Sequence, residues 1–169
     1  TATGRMARVG GWEHEPVTGH LLLSEVAREL LPLPARPSLG LSDVLEAIHP
    51  HDRERLATAN AGALASGEPY DIQARLGGSA ERETWVQLTC QPSWSEGRVT
   101  KLVGAIQDIT PRMEAEKSLR QAARVFESTA DGVVITGPDE RILAVNRAFT
   151  EITGYAEAEA LGQTPRILK

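Results

Sequence analysis

Two neighbouring histidines and one cysteine are the residues of this 169-residue chain best suited to chemistry. His49 and His51 flank Pro50, and imidazoles in such a pair can ligate haem iron or zinc. The alternative interpretation is structural, because a residue before proline disfavours helical angles and so marks the start of a new helix. Cys90 stands alone, which excludes a disulfide within the chain and any cluster of cysteine metal ligands.

The other polar residues do not form a pattern typical of an enzyme. The chain has neither the Gly-x-Ser-x-Gly elbow of a serine hydrolase nor the Gly-x-x-x-x-Gly-Lys loop that cradles phosphates. Glu13 and Glu15 share one face of a strand near a turn, without the burial pattern typical of a catalytic acid–base pair. We therefore expect no catalytic residue and no metal site in this chain.

The composition narrows the class of partner. Eighteen Lys and Arg against 23 Asp and Glu give a net charge of −5, which argues against a nucleic-acid surface. Hydrophobic residues make up 41% of the chain, as in ordinary globular proteins. No apolar run approaches the roughly 20 residues of a membrane helix. We expect a cytoplasmic chain without a membrane segment.

The first part of the chain predicts a hairpin, short helices and then a meander. Extended runs at 12–15 and 21–23 lie on either side of a turn rich in Pro and Gly. Ser24 and Ser42 are placed to cap two short helices, and a third opens near His51 with Leu56 on its apolar face. After these helices, apolar and polar residues alternate with the period of two that is typical of strands. This order of elements indicates an α+β fold with a pocket between the sheet and the helices. The three predicted meander strands are 71–76, 85–91 and 102–109, with turns at 77–79 and 95–97.

A long helix is predicted from Thr110 to about Ala130, opened by a capping hydroxyl and by Pro111 at the first helical position. Apolar residues recur along it at spacings of four and three, as in a coiled coil. The same face could instead pack against the domain of the helix itself. The residues of this candidate dimer seam are Ala115, Leu119, Ala122 and Phe126.

The opening pattern recurs after this helix. A strand at 133–136, a turn, a strand at 141–145 and a helix capped by Asn146 repeat the order of the first elements. A tandem of one module follows from this repeat. The predicted division is a leader at 1–8, a complete module at 9–110, a linker helix at 111–130 and the front of a second module at 131–169.

The segment from Gly11 to Thr110 resembles a PAS domain of the kind common in bacterial sensor proteins. The matching stretches come in the order of the family and span about 100 residues, a normal domain length. They are Gly-Gly-Trp-Glu at 10–13, Ile-His-Pro-His-Asp-Arg at 48–53, Gly-Glu-Pro-Tyr at 67–70, Glu-Thr-Trp-Val at 83–86, Gly-Arg-Val at 97–99 and Leu-Val-Gly-Ala-Ile-Gln-Asp-Ile-Thr at 102–110.

The end of the chain, from 123 onward, resembles the start of a second PAS domain. The resemblance implies a five-stranded antiparallel sheet with short helices on one face, followed by a signalling helix and a partial second PAS domain. The matching stretches are Phe-Glu-Ser-Thr-Ala-Asp-Gly-Val-Val-Ile-Thr at 126–136, Asn-Arg-Ala-Phe-Thr-Glu-Ile-Thr-Gly-Tyr at 146–155 and Leu-Gly-Gln-Thr-Pro-Arg-Ile-Leu at 161–168.

Members of this family sense ligands, light or redox state, or dimerise, and pass the result along a helix to a kinase or a cyclic-dinucleotide enzyme. The resemblance therefore implies a non-enzymatic sensory module of a bacterial histidine kinase or cyclic-di-GMP enzyme. We expect a homodimer through the linker helix that relays the binding of a small molecule or partner. The alternatives are a flavin- or haem-binding redox or gas sensor and a ligand-free dimerisation scaffold.

The expected relay lies where the last strand meets the linker helix. Asp108 can tie the sheet to the helix by a hydrogen bond or ion pair, or it can simply cap the helix. The candidate relay residues are Asp108, Ile109, Thr110 and Trp85. The candidate pocket residues are Trp12, His49, Leu56 and Ile106, although both tryptophans could serve as packing alone.

The cysteinyl-flavin chemistry of the photoreceptor members is not expected. The reactive cysteine of that class falls at Pro165 and its flavin-facing glutamine at Ile106, while Cys90 lies on a strand. No cofactor is therefore the first expectation, and non-covalent flavin or haem stays open.

Overall fold

The structure, a computed structural model, describes residues 8–77 and 83–168. The chain divides into two compact units, with the boundary between Met113 and Glu114. The predicted leader, apart from Arg8, and most of the predicted turn at 77–79 lie outside the described residues. Each unit is described by itself.

One antiparallel sheet of five strands organises the first unit. The predicted hairpin is confirmed by β1 and β2, and the predicted meander by β3, β4 and β5. The spatial order is β2-β1-β5-β4-β3, so the last strand in sequence lies at the centre beside the first. The strands are β1 (Val9–Glu15), β2 (His20–Leu23), β3 (Tyr70–Arg75), β4 (Trp85–Ser95) and β5 (Arg98–Asp108).

Three helices follow the hairpin: α1 (Glu25–Leu30), α2 (Leu41–Ala47) and α3 (Pro50–Ser66). Their buried side chains join those of alternate strand residues in one hydrophobic core. Each large apolar side chain buried there contributes about 1.5–3 kcal/mol. The result is an α+β unit with its core between the sheet and the helices.

The predicted caps of the first two helices have different outcomes. Ser24 caps α1 as expected, with its hydroxyl accepting from the Ala27 N–H at 3.2 Å. The predicted cap at Ser42 is wrong, since the cap residue is Gly40, two residues earlier. The buried Asp43 carboxylate, which also pairs with Arg36, accepts from the Gly40 N–H at 2.8 Å. This bond is the one that the third helical residue makes in a capping box, and glycine has no side chain to make the other.

The start of α3 is tied to β3, which is an edge strand with β4 as its sheet neighbour. The His49 N–H donates to the Arg75 carbonyl at 2.8 Å. The Asp52 carboxylate accepts from the Arg75 N–H at 3.0 Å and from its guanidinium at 2.8 and 3.1 Å. The Arg55 guanidinium donates to the Gln73 carbonyl. These bonds occupy backbone groups that an edge strand otherwise exposes.

The second unit has a hairpin and two short helices. Strands β6 (Val134–Thr136) and β7 (Ile142–Val145) pair antiparallel. They are followed by α5 (Arg147–Thr153), α6 (Glu157–Ala160) and a 3₁₀ turn (Pro165–Leu168). The core residues of this unit are Ile142, Val145, Phe149 and Ala160.

The predicted internal repeat extends to individual hydrogen bonds. In the first unit, the Ser24 hydroxyl accepts from the Gly11 N–H at 3.0 Å, and the Ser24 N–H donates to the Gly11 carbonyl at 2.9 Å. In the second unit, Asn146 Oδ1 accepts from the Val133 N–H at 2.8 Å, and the Asn146 N–H donates to the Val133 carbonyl at 3.1 Å. Both caps follow their partner by 13 residues, so each one fixes a helix to a strand at the same place in the module.

Asn146 makes two bonds that a serine could not make. Its Nδ2 donates to the carbonyls of Phe126 and Asp131, both at 2.9 Å. Its Oδ1 also accepts from the Phe149 N–H at 3.0 Å, which confirms the predicted cap. The buried amide thereby holds the end of the preceding helix, α4 (Thr110–Ser128), within the second unit.

The helix α4 is mostly exposed. Its apolar Leu119 and Val125 are 73% and 67% exposed, which leaves them without packing partners in their own unit. In the described part of the chain, no helix combines the length and apolarity that a bilayer crossing requires.

Replacing Asp52 by Asn should destabilise the first unit by about 1–3 kcal/mol, because charge-assisted hydrogen bonds to Arg75 are lost. These bonds hold the pKa of Asp52 at about 2, below its ordinary value of 3.8. The stabilisation is complete above about pH 4 and is lost as the pH falls towards 2. Urea unfolding followed by tryptophan fluorescence reports this unit, since all three tryptophans lie in it.

The control for this prediction is Glu54→Gln, which removes an exposed carboxylate from the same helix, two residues after Asp52. It should change the free energy of unfolding by less than about 0.5 kcal/mol. A difference between wild type and Asp52→Asn that is the same at pH 7 and pH 2 would contradict the role of the ionised pair.

Replacing Asn146 by Ser, the residue type that caps α1 in the first unit, should destabilise only the second unit. The acceptor of the cap is kept, but the carbonyls of Phe126 and Asp131 lose their donor, at a cost of about 1–3 kcal/mol for the two hydrogen bonds together. We expect faster amide hydrogen exchange in β7 and α5, with exchange in the first unit unchanged. Gln163→Ser, an exposed amide of the same unit, is the control and should leave exchange in β7 and α5 as in wild type.

Candidate functional site

The junction between β5 and α4 is held by a buried carboxylate. The Asp108 side chain is 6% exposed. Its Oδ1 accepts from the Thr110 N–H at 2.9 Å, and its Oδ2 accepts from the Arg8 guanidinium at 2.8 Å. The hydrogen bond lies at the start of α4, where both the tie to the sheet and the capping interpretation place it. The ion pair is made with Arg8, which precedes β1, and not with a residue of the helix.

Trp85, the first residue of β4, binds Ile109 and Thr110, the two residues after Asp108, through its backbone. Its carbonyl accepts from the Ile109 N–H at 2.9 Å, and its N–H donates to the Thr110 hydroxyl at 2.9 Å. Ile109 and Thr110 are both buried. The structure thus brings together all four residues that the sequence analysis assigned to a relay: Asp108, Ile109, Thr110 and Trp85.

The same tryptophan connects this junction to the start of α3. The Arg75 guanidinium lies over the Trp85 ring, 5.5 Å from its centroid, at a distance typical of a cation–π contact. That guanidinium is also the one paired with Asp52. A continuous series of contacts therefore runs from Asp52 on α3 through Arg75 and Trp85 to Thr110 on α4.

A small cavity lies between the sheet and the helices of the first unit. About 20 Å³ of it is open to the centre of a water molecule, which is room for roughly one water. None of its lining residues is charged. They are eight aliphatic residues (Leu21, Leu23, Leu31, Leu41, Val44, Leu56, Leu88 and Ile106) together with Trp12, Tyr70 and Asn60.

Trp12 lies in the wall of this cavity with its ring on β5. It pairs with Gly104, and a Cβ at that glycine would lie 2.5 Å from the indole ring. Glycine is therefore needed for the ring to lie against the strand. Among the described residues, the Trp12 Nε1 is the one buried side-chain nitrogen or oxygen for which no protein group accepts a hydrogen bond. Such a buried donor costs about 1–3 kcal/mol if left unpaired.

The other two polar residues of the cavity wall, Tyr70 and Asn60, are joined by a hydrogen bond. The Tyr70 hydroxyl donates to Asn60 Oδ1 at 2.8 Å. Burial raises the pKa of Tyr70 well above its ordinary value, and the neighbouring Cys90 adds to this shift. Burial likewise raises the pKa of the Cys90 thiol to about 11, so the thiol stays protonated and unreactive at neutral pH.

His49 does not line this cavity, unlike Trp12, Leu56 and Ile106. It precedes α3 as the N-cap, and its Nδ1 accepts from the His51 N–H at 3.3 Å. This geometry favours the structural interpretation of the histidine pair. Within residues 8–77 and 83–168, no group of three or more His, Cys, Asp or Glu side chains could hold a metal ion.

A haem or a flavin does not fit the residues of this cavity. Pockets for ligands of drug size measure roughly 300–1,000 Å³, far above the space found here. No histidine lies in the wall to ligate haem iron. At Ile106, a fully buried aliphatic side chain stands where the photoreceptor class has its glutamine.

The predicted dimer seam lies on the exposed helix. Ala115, Leu119 and Ala122 are exposed, whereas Phe126 is half-buried near the end of the helix in the second unit. The described contacts do not pack the first three residues against their own unit, so this face is available to a partner.

Sequence reasoning missed three contributors to these sites: Arg8, Arg75 and Asn60. Arg8 and Arg75 reach partners that are 100 and 23 residues away in the chain, and no local pattern records such a pair. Asn60 occupies a buried position on α3. A polar residue on the apolar face of a helix was the available signal for it.

Two family models match the chain. A model of the PAS fold matches residues 29–106, and a PAS domain model matches residues 119–168. Together they cover the first unit from the end of α1 to most of β5, and most of the second unit.

The chain is also similar to curated sensor proteins and to a solved structure of a sensory box histidine kinase/response regulator. Sensor protein FixL of Bradyrhizobium diazoefficiens is 26% identical over 165 residues, which are 95% of this chain and 33% of that protein. Oxygen sensor protein DosP of Escherichia coli is 27% identical over 161 residues, 95% of this chain and 18% of that protein. A sensory box histidine kinase/response regulator from Burkholderia thailandensis is 26% identical, with a TM-score of 0.55 over 73% of this chain and 93% of that one.

This chain thus spans a third or less of the two curated relatives. The PAS-fold match contains α2, α3, β3, β4 and most of β5, which together form the larger part of the first unit. The chain belongs to the PAS family, with a PAS domain followed by the start of a second one, and is a sensory module of signalling proteins.

Proposed function

We propose that this chain is a non-enzymatic input module that acts in the cytoplasm as a homodimer. Its output domain, a histidine kinase or a cyclic-di-GMP enzyme, lies outside the chain. Binding of a small molecule in the first domain changes the packing of sheet and helices, and α4 carries that change to the output. The observation that carries this proposal is the attachment of Ile109 and Thr110 to the backbone of Trp85.

The contacts suggest how the cavity is coupled to α4. Leu56 and Asn60 belong both to α3 and to the cavity wall, so a ligand that moves them moves α3. The start of α3 holds Arg75 through Asp52, and Arg75 lies over Trp85. A shift of α3 therefore changes the contacts that position the first turn of α4. A ligand that binds one arrangement more tightly shifts the population towards it.

The exposed face of α4 supports the homodimer. Leu119 is a large apolar side chain on a helix that is otherwise rich in charge, and it lies between Ala115 and Ala122 at coiled-coil spacing. Pairing of two such helices would bury this face. A rotation or change of register of the pair then offers a route for the signal to an output domain.

Replacing Leu119 by Glu should abolish the dimer, because a charge would enter the apolar seam. The measurement is solution mass by light scattering over a range of concentrations. Gln121→Glu is the control, since it adds the same charge to an exposed position outside the seam on the same helix, and it should keep the mass of wild type. A monomer in wild type, or an unchanged mass in Leu119→Glu, would contradict the dimer.

Replacing Thr110 by Val should uncouple α4 from the sheet, because the Trp85 N–H loses its acceptor while the side-chain shape is kept. We expect hydrogen exchange of Trp85 and of the first turn of α4 to become about fivefold faster, as for loss of one net hydrogen bond. Joined in register to a histidine-kinase domain, this variant should also change the basal autophosphorylation rate.

The control is Thr100→Val, whose hydroxyl donates to the Ser93 carbonyl far from the junction. It should leave both the exchange of Trp85 and the kinase rate as in wild type. A Thr110→Val chimera with unaltered kinase activity would favour a ligand-free dimerisation scaffold over the relay.

A further inference from the structure

We propose that the cavity of the first domain binds a small, uncharged molecule of a few heavy atoms that accepts a hydrogen bond from Trp12 Nε1. This inference rests on the proposed sensory function and names the class of ligand for it. Three features of the cavity carry it: an unpaired donor, an uncharged lining and a small volume.

The donor fixes the polarity of the ligand. Trp12 is 6% exposed, and its Nε1 finds no acceptor among the described residues. An indole N–H can donate but cannot accept, so its partner must carry a lone pair. A carbonyl, ether, hydroxyl or nitrile group satisfies this condition, whereas an ammonium ion or a hydrocarbon does not.

The Tyr70 hydroxyl does not compete as a donor for the same ligand atom, because it donates to Asn60 Oδ1 at 2.8 Å. The rest of the wall is formed by aliphatic side chains. The ligand therefore needs one polar atom directed at Trp12 and an apolar remainder directed at the leucines.

The lining also excludes ions. Burying an isolated charge in an aliphatic wall without a counter-charge is strongly unfavourable. None of the eleven lining residues is Asp, Glu, Lys, Arg or His. The ligand class is therefore neutral, which separates it from the carboxylates and phosphates that Arg or Lys side chains would bind.

The volume sets the size of the ligand. Room for about one water centre limits the ligand to a few heavy atoms, and the neighbouring leucine side chains would have to change rotamer to admit them. Larger ligands would require α2 or α3 to move away from the sheet.

The test compares acetone with isobutene, which has the same trigonal shape but no acceptor. The protein is the full chain labelled with ¹⁵N on its tryptophan indoles. Its three indole signals are assigned by Trp12→Phe, Trp85→Phe and Trp94→Phe variants. Acetone should move the Trp12 Nε1–H signal to saturation, whereas isobutene should bind without the downfield shift that hydrogen bonding causes.

The two probes and the variants form a thermodynamic cycle. The affinity ratio of acetone to isobutene should fall about fivefold in Trp12→Phe, as expected for loss of one hydrogen bond. Trp94→Phe, which changes an exposed tryptophan, should leave the ratio unchanged. If Trp12→Phe fails to fold, replacing the Trp12 indole by benzothiophene keeps the shape of the ring and removes only the N–H.

Two results would overturn the proposal. In the first, neither probe shifts Trp12, and its signal already has the position of a hydrogen-bonded indole, which means that a fixed water holds the site. In the second, both probes bind but the affinity ratio is the same in Trp12→Phe. Either result leaves the relay of the proposed function to be judged by the Thr110→Val variant, because that measurement does not depend on this ligand.

Discussion

The attachment of α4 to the first residue of β4 is the constraint on which the rest of this structure depends. A helix that follows the end of a strand could take many directions, but Ile109 and Thr110 are buried and bonded to both backbone groups of Trp85. These bonds tie the first turn of α4 to β4. In the proposed function, a change in the packing of the sheet reaches the helix at this point.

Arg75 connects this attachment to α3. Its backbone belongs to the edge strand, its guanidinium is paired with Asp52 at the start of α3, and its charge lies over Trp85. One side chain thus connects a helix of the cavity wall to the strand that holds α4. The structural interpretation of the His-Pro-His-Asp stretch fits this arrangement, because the stretch positions a carboxylate for Arg75 rather than a ligand for a metal.

The two copies of the module attach the helix that follows the hairpin by the same backbone contacts but with different residues. Ser24 and Asn146 each bind both backbone groups of a residue 13 positions earlier, Gly11 in β1 and Val133 just before β6, and cap the helix that follows. The larger amide of Asn146 also takes the carbonyl at Phe126, near the end of α4. The linker helix is therefore held by polar contacts at both ends, while its middle, with Leu119, stays exposed.

The sequence by itself determined the parts of this protein that depend on neighbours within a few residues. The order of strands and helices, the caps at Ser24 and Asn146 and the family resemblance all follow from local spacing and from motifs. The prediction of a cap at Ser42 failed because the helix begins after Gly40, whose N–H donates to the Asp43 carboxylate, so that Ser42 lies within the first turn. The tertiary structure alone decided which distant groups meet: Asp108 with Arg8, Asp52 with Arg75, and Trp12 with Gly104. Hydrophobic periodicity records which face of an element is buried, but not which atom lies opposite it, and the unpaired Trp12 Nε1 is visible only once the whole wall of the cavity is assembled.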